Sequence, residues 1–315
     1  MTTTPPRRKW HLTRWLVVLI IATLGWSGWR AYAFRSALSQ AKALGWTVKY
    51  TDPVEEIRNY WRAAFKKETW LNGVTDLAIQ TSESFEQNVA IVHRLNPKSL
   101  RIENAATLGD LSALKGLTRL QSLSLQRCAA LKNADAITNL ISLQSLELQG
   151  FTALTNVDAL KNLSELRMVY LDCTGLTNVD ALMNLTALKE VTLIGCTGLT
   201  NVDAIKNLSA LHSLCLHGCT GLTNVDALTN LSALERVVLT RCLGLTSVEA
   251  LKNLSVLEWV NLDGCTGLTN VDTLKNLSAL QKVDLIGCTG LTKESVAALK
   301  AALPNAAIIT ANPGR

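Results

Sequence analysis

From residue 74 to residue 310 the apolar positions of this chain return at a fixed interval. One column runs Ile79, Ile102, Leu125, Leu148, Leu171, Leu193, Leu216, Leu239, Leu262, Leu285 and Ile308, with every step 23 residues except a step of 22 from Leu171 to Leu193. The missing residue falls just before Cys173, where Leu-Asp-Cys replaces Leu-x-Gly-Cys. Such a period predicts a solenoid, because one turn is too small to bury its own apolar side and must stack on its neighbours. In each turn the Val-x-Leu or Leu-x-Leu segment alternates as a half-buried strand. Successive strands are therefore expected to lie parallel, ~4.8 Å apart, in one curved sheet. The Asn-Val-Asp-Ala-Leu segment is expected to form a turn and a short helical or 3₁₀ piece on the opposite side. Asp158, Asp180, Asp203, Asp226 and Asp272 would cap that piece.

The ends of a stack need caps. Ser84 to Leu95 reads as one amphipathic helix, with Ser84 and Gln87 at capping-box spacing. Residues 293–303 read as a longer helix stopped by Pro304. Upstream, Phe34, Ala37, Leu38, Ala41 and Leu44 recur at helical spacing up to Gly45, and Trp46 to Tyr50 reads as a short strand. Asp52-Pro53-Val54-Glu55 then opens a second helix with Val54, Ile57, Trp61, Ala64 and Phe65 on its apolar face. Residues 35–73 are thus a helical connector and N-terminal cap, too short to house an enzyme site of their own.

The spacing of Leu211, Leu214, Leu216 and Cys219 resembles the leucine-rich repeat, usually written LxxLxLxxN. The downstream consensus LTNVDALKNLSAL is similar to the short repeats of bacterial internalins. The resemblance covers about residues 74–310 and implies an α/β solenoid: a leucine-rich-repeat horseshoe with a parallel β-sheet on its concave face. Asparagine is the residue that such repeats usually carry where this chain has Cys128, Cys173, Cys196, Cys219, Cys242, Cys265 and Cys288. Stacked, in-register Cβ atoms lie ~5 Å apart, beyond the ~3.5–4.5 Å that a disulfide needs. These cysteines are therefore expected to be small, buried and reduced, and Phe151 at the equivalent place supports a packing role. Cys215 differs, because it falls on an outward strand position.

Composition separates the chain into a basic, aromatic head and an aliphatic body. No acid precedes Asp52, and that stretch holds eight basic residues, so the body carries −2 of the overall +6. A basic nucleic-acid-binding face is excluded on that balance. Residues 15–34 are apolar enough to span a bilayer, with Trp15 at one end and Trp26, Trp29 and Tyr32 toward the other. Arg7, Arg8, Lys9 and Arg14 place residues 1–14 in the cytoplasm as a basic tail, and the repeats in the periplasm or outside. The same arrangement resembles bacterial membrane proteins that carry such repeats. The competing reading is a signal peptide cut near Ala33, which would give a secreted adhesin or effector. Arg30 and two tryptophans in the cleavage region favour the uncleaved single-pass anchor.

No GxSxG, P-loop, HExxH or dinucleotide fingerprint is present, and neither an enzyme activity, a cofactor nor a metal is expected. Cys215 and His217 share a strand face, yet Arg236 and Arg241 in the next turn disfavour a cation there. The stronger signal lies in how the turns differ. The exposed outer positions are nearly constant, whereas the outward strand positions change at every turn. The expected ligand-binding surface is therefore the concave face, with Tyr170, His212, His217, Arg236, Arg241, Glu258, Trp259 and Asp263 as its candidate residues. A protein partner is expected; carbohydrate or peptidoglycan remains the other ligand class, and a structural envelope protein without a ligand the other role.

Overall fold

The computed structural model describes residue 29 and residues 32–50, 74–132 and 134–310. The basic tail, nearly all of the expected anchor at 15–34 and the second connector helix lie outside these residues. Among the described residues no helix is long and apolar enough to cross a membrane.

Helix α1 spans 32–43. It leads into β1 (Thr47–Tyr50), which pairs antiparallel with β2 (Val74–Ile79). Ten more strands follow in chain order, all parallel: β3 (Ser99–Ile102), β4 (Ser122–Gln126), β5 (Ser145–Gln149), β6 (Met168–Asp172), β7 (Glu190–Ile194), β8 (Ser213–His217), β9 (Arg236–Val238), β10 (Trp259–Asn261), β11 (Lys282–Asp284) and β12 (Ala307–Ile309). The leucine column is the register of this sheet. Ile79 stands beside Ile102, Leu148 beside Leu171, and Leu193 beside Leu216. The 22-residue step leaves Leu171 beside Leu193. The deletion is absorbed at the corner, where Asp172 accepts from Phe151 N–H through its carbonyl and from Gly150 N–H through its carboxylate.

Every strand leucine from Leu100 to Leu262 is fully buried, and so are Leu160, Leu182, Leu228 and Leu251 from the opposite side of the same turns. A buried leucine contributes ~1.5–3 kcal/mol only if a neighbour covers it, so each turn is stable by virtue of the next. Both ends of the stack are covered. At the start, Ala37, Ala41 and Trp46 join the core, and Trp46 Nε1–H donates to Ser84 Oγ at 2.8 Å. At the far end, α4 (Lys293–Ala302), numbered after the two short helices described next, begins at Thr292, whose Oγ1 accepts from Ser295 N–H, and buries Leu299.

Three expectations are corrected. Residues Ser84 to Leu95 form not one helix but two, α2 (Ser82–Gln87), capped by Thr81, and α3 (Val89–Leu95). The break is at Asn88, whose side-chain amide donates to the Ser84 carbonyl that a continuing helix would use. Leu44 is not on the buried face of α1 but 41% exposed, because the chain leaves the helix at residue 43 and turns through Gly45 at φ +72°.

The third correction concerns the outer turns. They are three-residue 3₁₀ pieces such as Asp158–Leu160 and Asp203–Ile205, but no aspartate side chain caps them. The cap is the asparagine two residues earlier. Asn156, Asn178, Asn201, Asn224 and Asn270 each accept through Oδ1 from the aspartate's backbone N–H at 3.1–3.4 Å, and Ser247 accepts through its hydroxyl from Glu249 N–H at 3.1 Å. Asparagine closes this turn because its carbonyl reaches a backbone N–H two residues on. Asn201→Ala should therefore cost about 1 kcal/mol in urea unfolding, while Asp203→Ala should stay within about 0.5 kcal/mol.

Candidate functional site

Alternation along each strand sends one set of side chains into the core and the other onto an open face. Parallel register arranges the outward set in rows. One row reads Met168, Glu190, Ser213, Arg236, Trp259 and Lys282. Beside it runs Tyr170, Thr192, Cys215, Val238, Asn261 and Asp284. Immediately before the strands, Arg167, Lys189, His212, Glu235 and Glu258 form a further row, linked from turn to turn by backbone N–H to carbonyl bonds of 2.8–2.9 Å.

The candidate residues divide on this frame. Arg236 and Trp259 are register neighbours. Tyr170 is four strands from Trp259, ~19 Å away, and in a different row. The set therefore spreads over a surface of protein-contact size and does not converge on one small-molecule pocket. His217 closes β8 beside Ile194. His212 and Glu258 precede their strands, and His212 Nδ1 lies 2.6 Å from its own turn's Ala210 carbonyl, to which it must donate. Asp263 follows β10, with its N–H donating to Asn261 Oδ1 at 2.9 Å.

Arg241 is not on a strand at all. It occupies the corner position that is glycine in most turns, in the left-handed conformation at φ +58°, as Arg127 does at +61°. Its N–H donates to the Asp263 carbonyl at 2.7 Å, and its exposed side chain lies over Gly264. A non-glycine residue here carries ~1–2 kcal/mol of backbone strain.

The most ordered polar group on the face includes two residues outside the candidate set. Asp284, 5% exposed, accepts on Oδ2 from Trp259 Nε1–H at 3.0 Å and from Lys282 Nζ at 2.8 Å. The Lys282 ammonium also lies 5.1 Å from the Trp259 ring centroid. A buried carboxylate is tolerated because both donors compensate its desolvation, and in return the indole is held in one place. The signal was present in the period, since Lys282 is Trp259 advanced by one repeat of 23. Around Tyr170, burial first and then the Asp172 and Glu147 charges hold the phenol above its ordinary pKa, so it stays a donor. Glu147 is itself fixed by Ser124 Oγ–H at 2.8 Å.

All eight cysteines are free thiols. In successive turns, Sγ of Cys242, Cys265 and Cys288 donates to the carbonyl of the preceding turn's Leu216, Leu239 and Leu262 at 3.0 Å, and Cys219 reaches Leu193 at 3.7 Å. The thiol thus ties corner to strand across turns. Burial pushes the thiols of Cys128, Cys242 and Cys265 up to about 12 and that of Cys288 to about 11. Cys215, half-exposed on the open face, is raised by burial as well. Among the described residues no His, Cys, Asp and Glu side chains form a metal-binding group.

Residues 166–292 match the model of the BspA type leucine rich repeat region, in six copies. The matched residues are thus similar to leucine-rich repeats of that type. The solved structures similar to this chain include an internalin from Listeria monocytogenes at 20% identity and a TM-score of 0.53, covering 82% of this chain and 88% of that one. A second internalin, C2, from the same organism aligns at 24% identity and a TM-score of 0.43, over 71% and 83% of the two chains. At these identities the first likeness establishes the leucine-rich-repeat fold. No curated protein matches the chain.

Thiol accessibility checks this site directly. Ellman's reagent near pH 8 should react in the native protein only with Cys215 and, more slowly, Cys288, because the other thiols are buried. The remaining six should react only after unfolding; rapid reaction of all eight in the native state would contradict the packing described.

Proposed function

We propose that this chain is a membrane-anchored leucine-rich-repeat protein that recognises another protein at the bacterial envelope through its open sheet face. One contrast carries the reading. The outer side of the turns repeats almost unchanged, while the open face presents a different set of side chains at every turn. That face also holds Trp259 fixed by Asp284 and Lys282, beside the exposed Arg236. A rigid indole next to arginine is the residue pairing that dominates protein interfaces, because little side-chain entropy is lost on binding.

Recognition here is non-enzymatic. The register neighbours of Cys215 are Thr192 and Val238, and neither supplies a base to activate its thiol. Burial also raises the Cys215 thiol, the reverse of what an activated nucleophile requires. The anchor rests on the one-sided charge of the head, with residues 1–14 cytoplasmic, 15–34 spanning and the repeats outside.

Two experiments test these halves. Capture from an envelope extract should recover a protein partner with the intact chain, and Trp259→Ala combined with Arg241→Ala should reduce its recovery at least roughly tenfold, as expected for hot-spot truncation; unchanged recovery of every partner would remove the open face from recognition. Alkaline phosphatase fused after Arg315 should be active, in a carbonate-resistant membrane fraction, with the original N-terminus retained. An inactive fusion would reverse the orientation, and a soluble product beginning at Phe34 would make the protein secreted.

A further inference from the structure

The charges on the open face are arranged symmetrically about β8. Counting outward from β8, the row preceding the strands reads Lys189 then Arg167 on one side, and Glu235 then Glu258 on the other. In the next row Glu190, one strand before Ser213, is mirrored by Arg236, one strand after it. All six side chains are exposed. None has an ion-pair partner within the chain among the described residues. Three pairs of opposite charge at equal distances on either side of one strand form a self-complementary pattern.

We infer that the open face binds a second copy of this chain, face to face, about a two-fold axis that runs along β8. This rests on the open face being the recognition surface and names its partner. Such an axis keeps the strands of the two sheets aligned, as stacked sheets require, and reverses the order of the turns. Lys189 of one copy then meets Glu235 of the other, Arg167 meets Glu258, and Glu190 meets Arg236, each pair occurring twice. The same operation sets Met168 against Trp259 and brings Cys215 opposite its own symmetry mate. Two like-charge meetings result, Asp172 with Asp263 and Glu147 with Asp284. Asp284 is already neutralised by Lys282, and Arg241 stands one turn before Asp263. The other in-plane axis, across the strands, would bring Glu258 against Asp263 and separate Lys189 from Glu235, so the charges select the first.

The outer 3₁₀ pieces allow the approach. A three-residue turn keeps the outer side of each repeat thin, whereas α-helices would space the turns by ~8–10 Å and curve the sheet strongly. The matched area, five strands by about six residues, is ~400 Å² per copy, about half that of a standard interface. The dimer is therefore weak and concentration-dependent, and surface confinement by an anchor would favour it.

The test uses the full-length chain in detergent solution and a short bis-maleimide, which joins two thiols by addition. Wild type should give a cross-linked dimer that Cys215→Ser abolishes, with sedimentation velocity showing concentration-dependent dimers. Lys189→Glu and Glu235→Lys should each lower the dimer fraction roughly tenfold or more, since each sets like charges together, and the double variant should restore it. A wild-type chain that stays monomeric at every concentration, or a double variant that fails to recover while retaining native thiol protection, overturns the dimer. If the dimer fails while Trp259→Ala with Arg241→Ala still reduces capture of another protein, recognition by the open face stands without self-association; if both fail, both readings fall.

Discussion

Everything in this molecule depends on the stacking of one turn on the next. A single turn offers five or six inward leucines or isoleucines and a strand of three to five residues, which alone do not offset the entropy of ordering 23 residues. Stacked, the same leucines form a continuous core and each strand pairs on both edges. The cost of this economy is that both ends must be covered. The chain covers them with α1 and an antiparallel strand at one end, and with α4 at the other.

The same constraint explains why conserved chemistry within the turns is structural. Asparagine closes five of the outer turns, cysteine links four corners to the strand of the preceding turn, and glycine sits where the previous turn's backbone passes close by. At Gly221 an added Cβ would lie 2.5 Å from the Thr197 carbonyl oxygen, which no side chain tolerates without a shift of the backbone. Residues under such constraints vary little from turn to turn. The side chains that alternate onto the open face lie outside these contacts and differ from turn to turn. Diversity between turns therefore falls on that surface.

That surface is charged in a patterned way and carries one aromatic fixed in place. Trp259 is not merely exposed; Asp284 and Lys282 set its orientation before any partner arrives. Arg167, Lys189, Glu190, Glu235, Arg236 and Glu258 form no ion pair among the described residues, which leaves their charges to a partner laid across the strands. A face of this kind reads spacing as well as sign, because parallel register holds its rows at ~4.8 Å intervals.

The sequence by itself determined the solenoid, the register and both capped ends, because a 23-residue apolar column admits only one in-register stack. It also determined which residues face outward, through strict alternation. It did not determine which outward residues act together. Tyr170 and Trp259 looked equivalent in composition, yet parallel pairing puts them in different rows four strands apart, while Lys282 and Asp284 join Trp259 from the following turn. Nor did it show that Asn201 caps where Asp203 was expected to, that Arg241 replaces a corner glycine, or that the helix from Ser84 breaks at Asn88. Those outcomes depend on which donor or acceptor is nearest in three dimensions, a competition among groups of similar chemistry that only the folded backbone resolves.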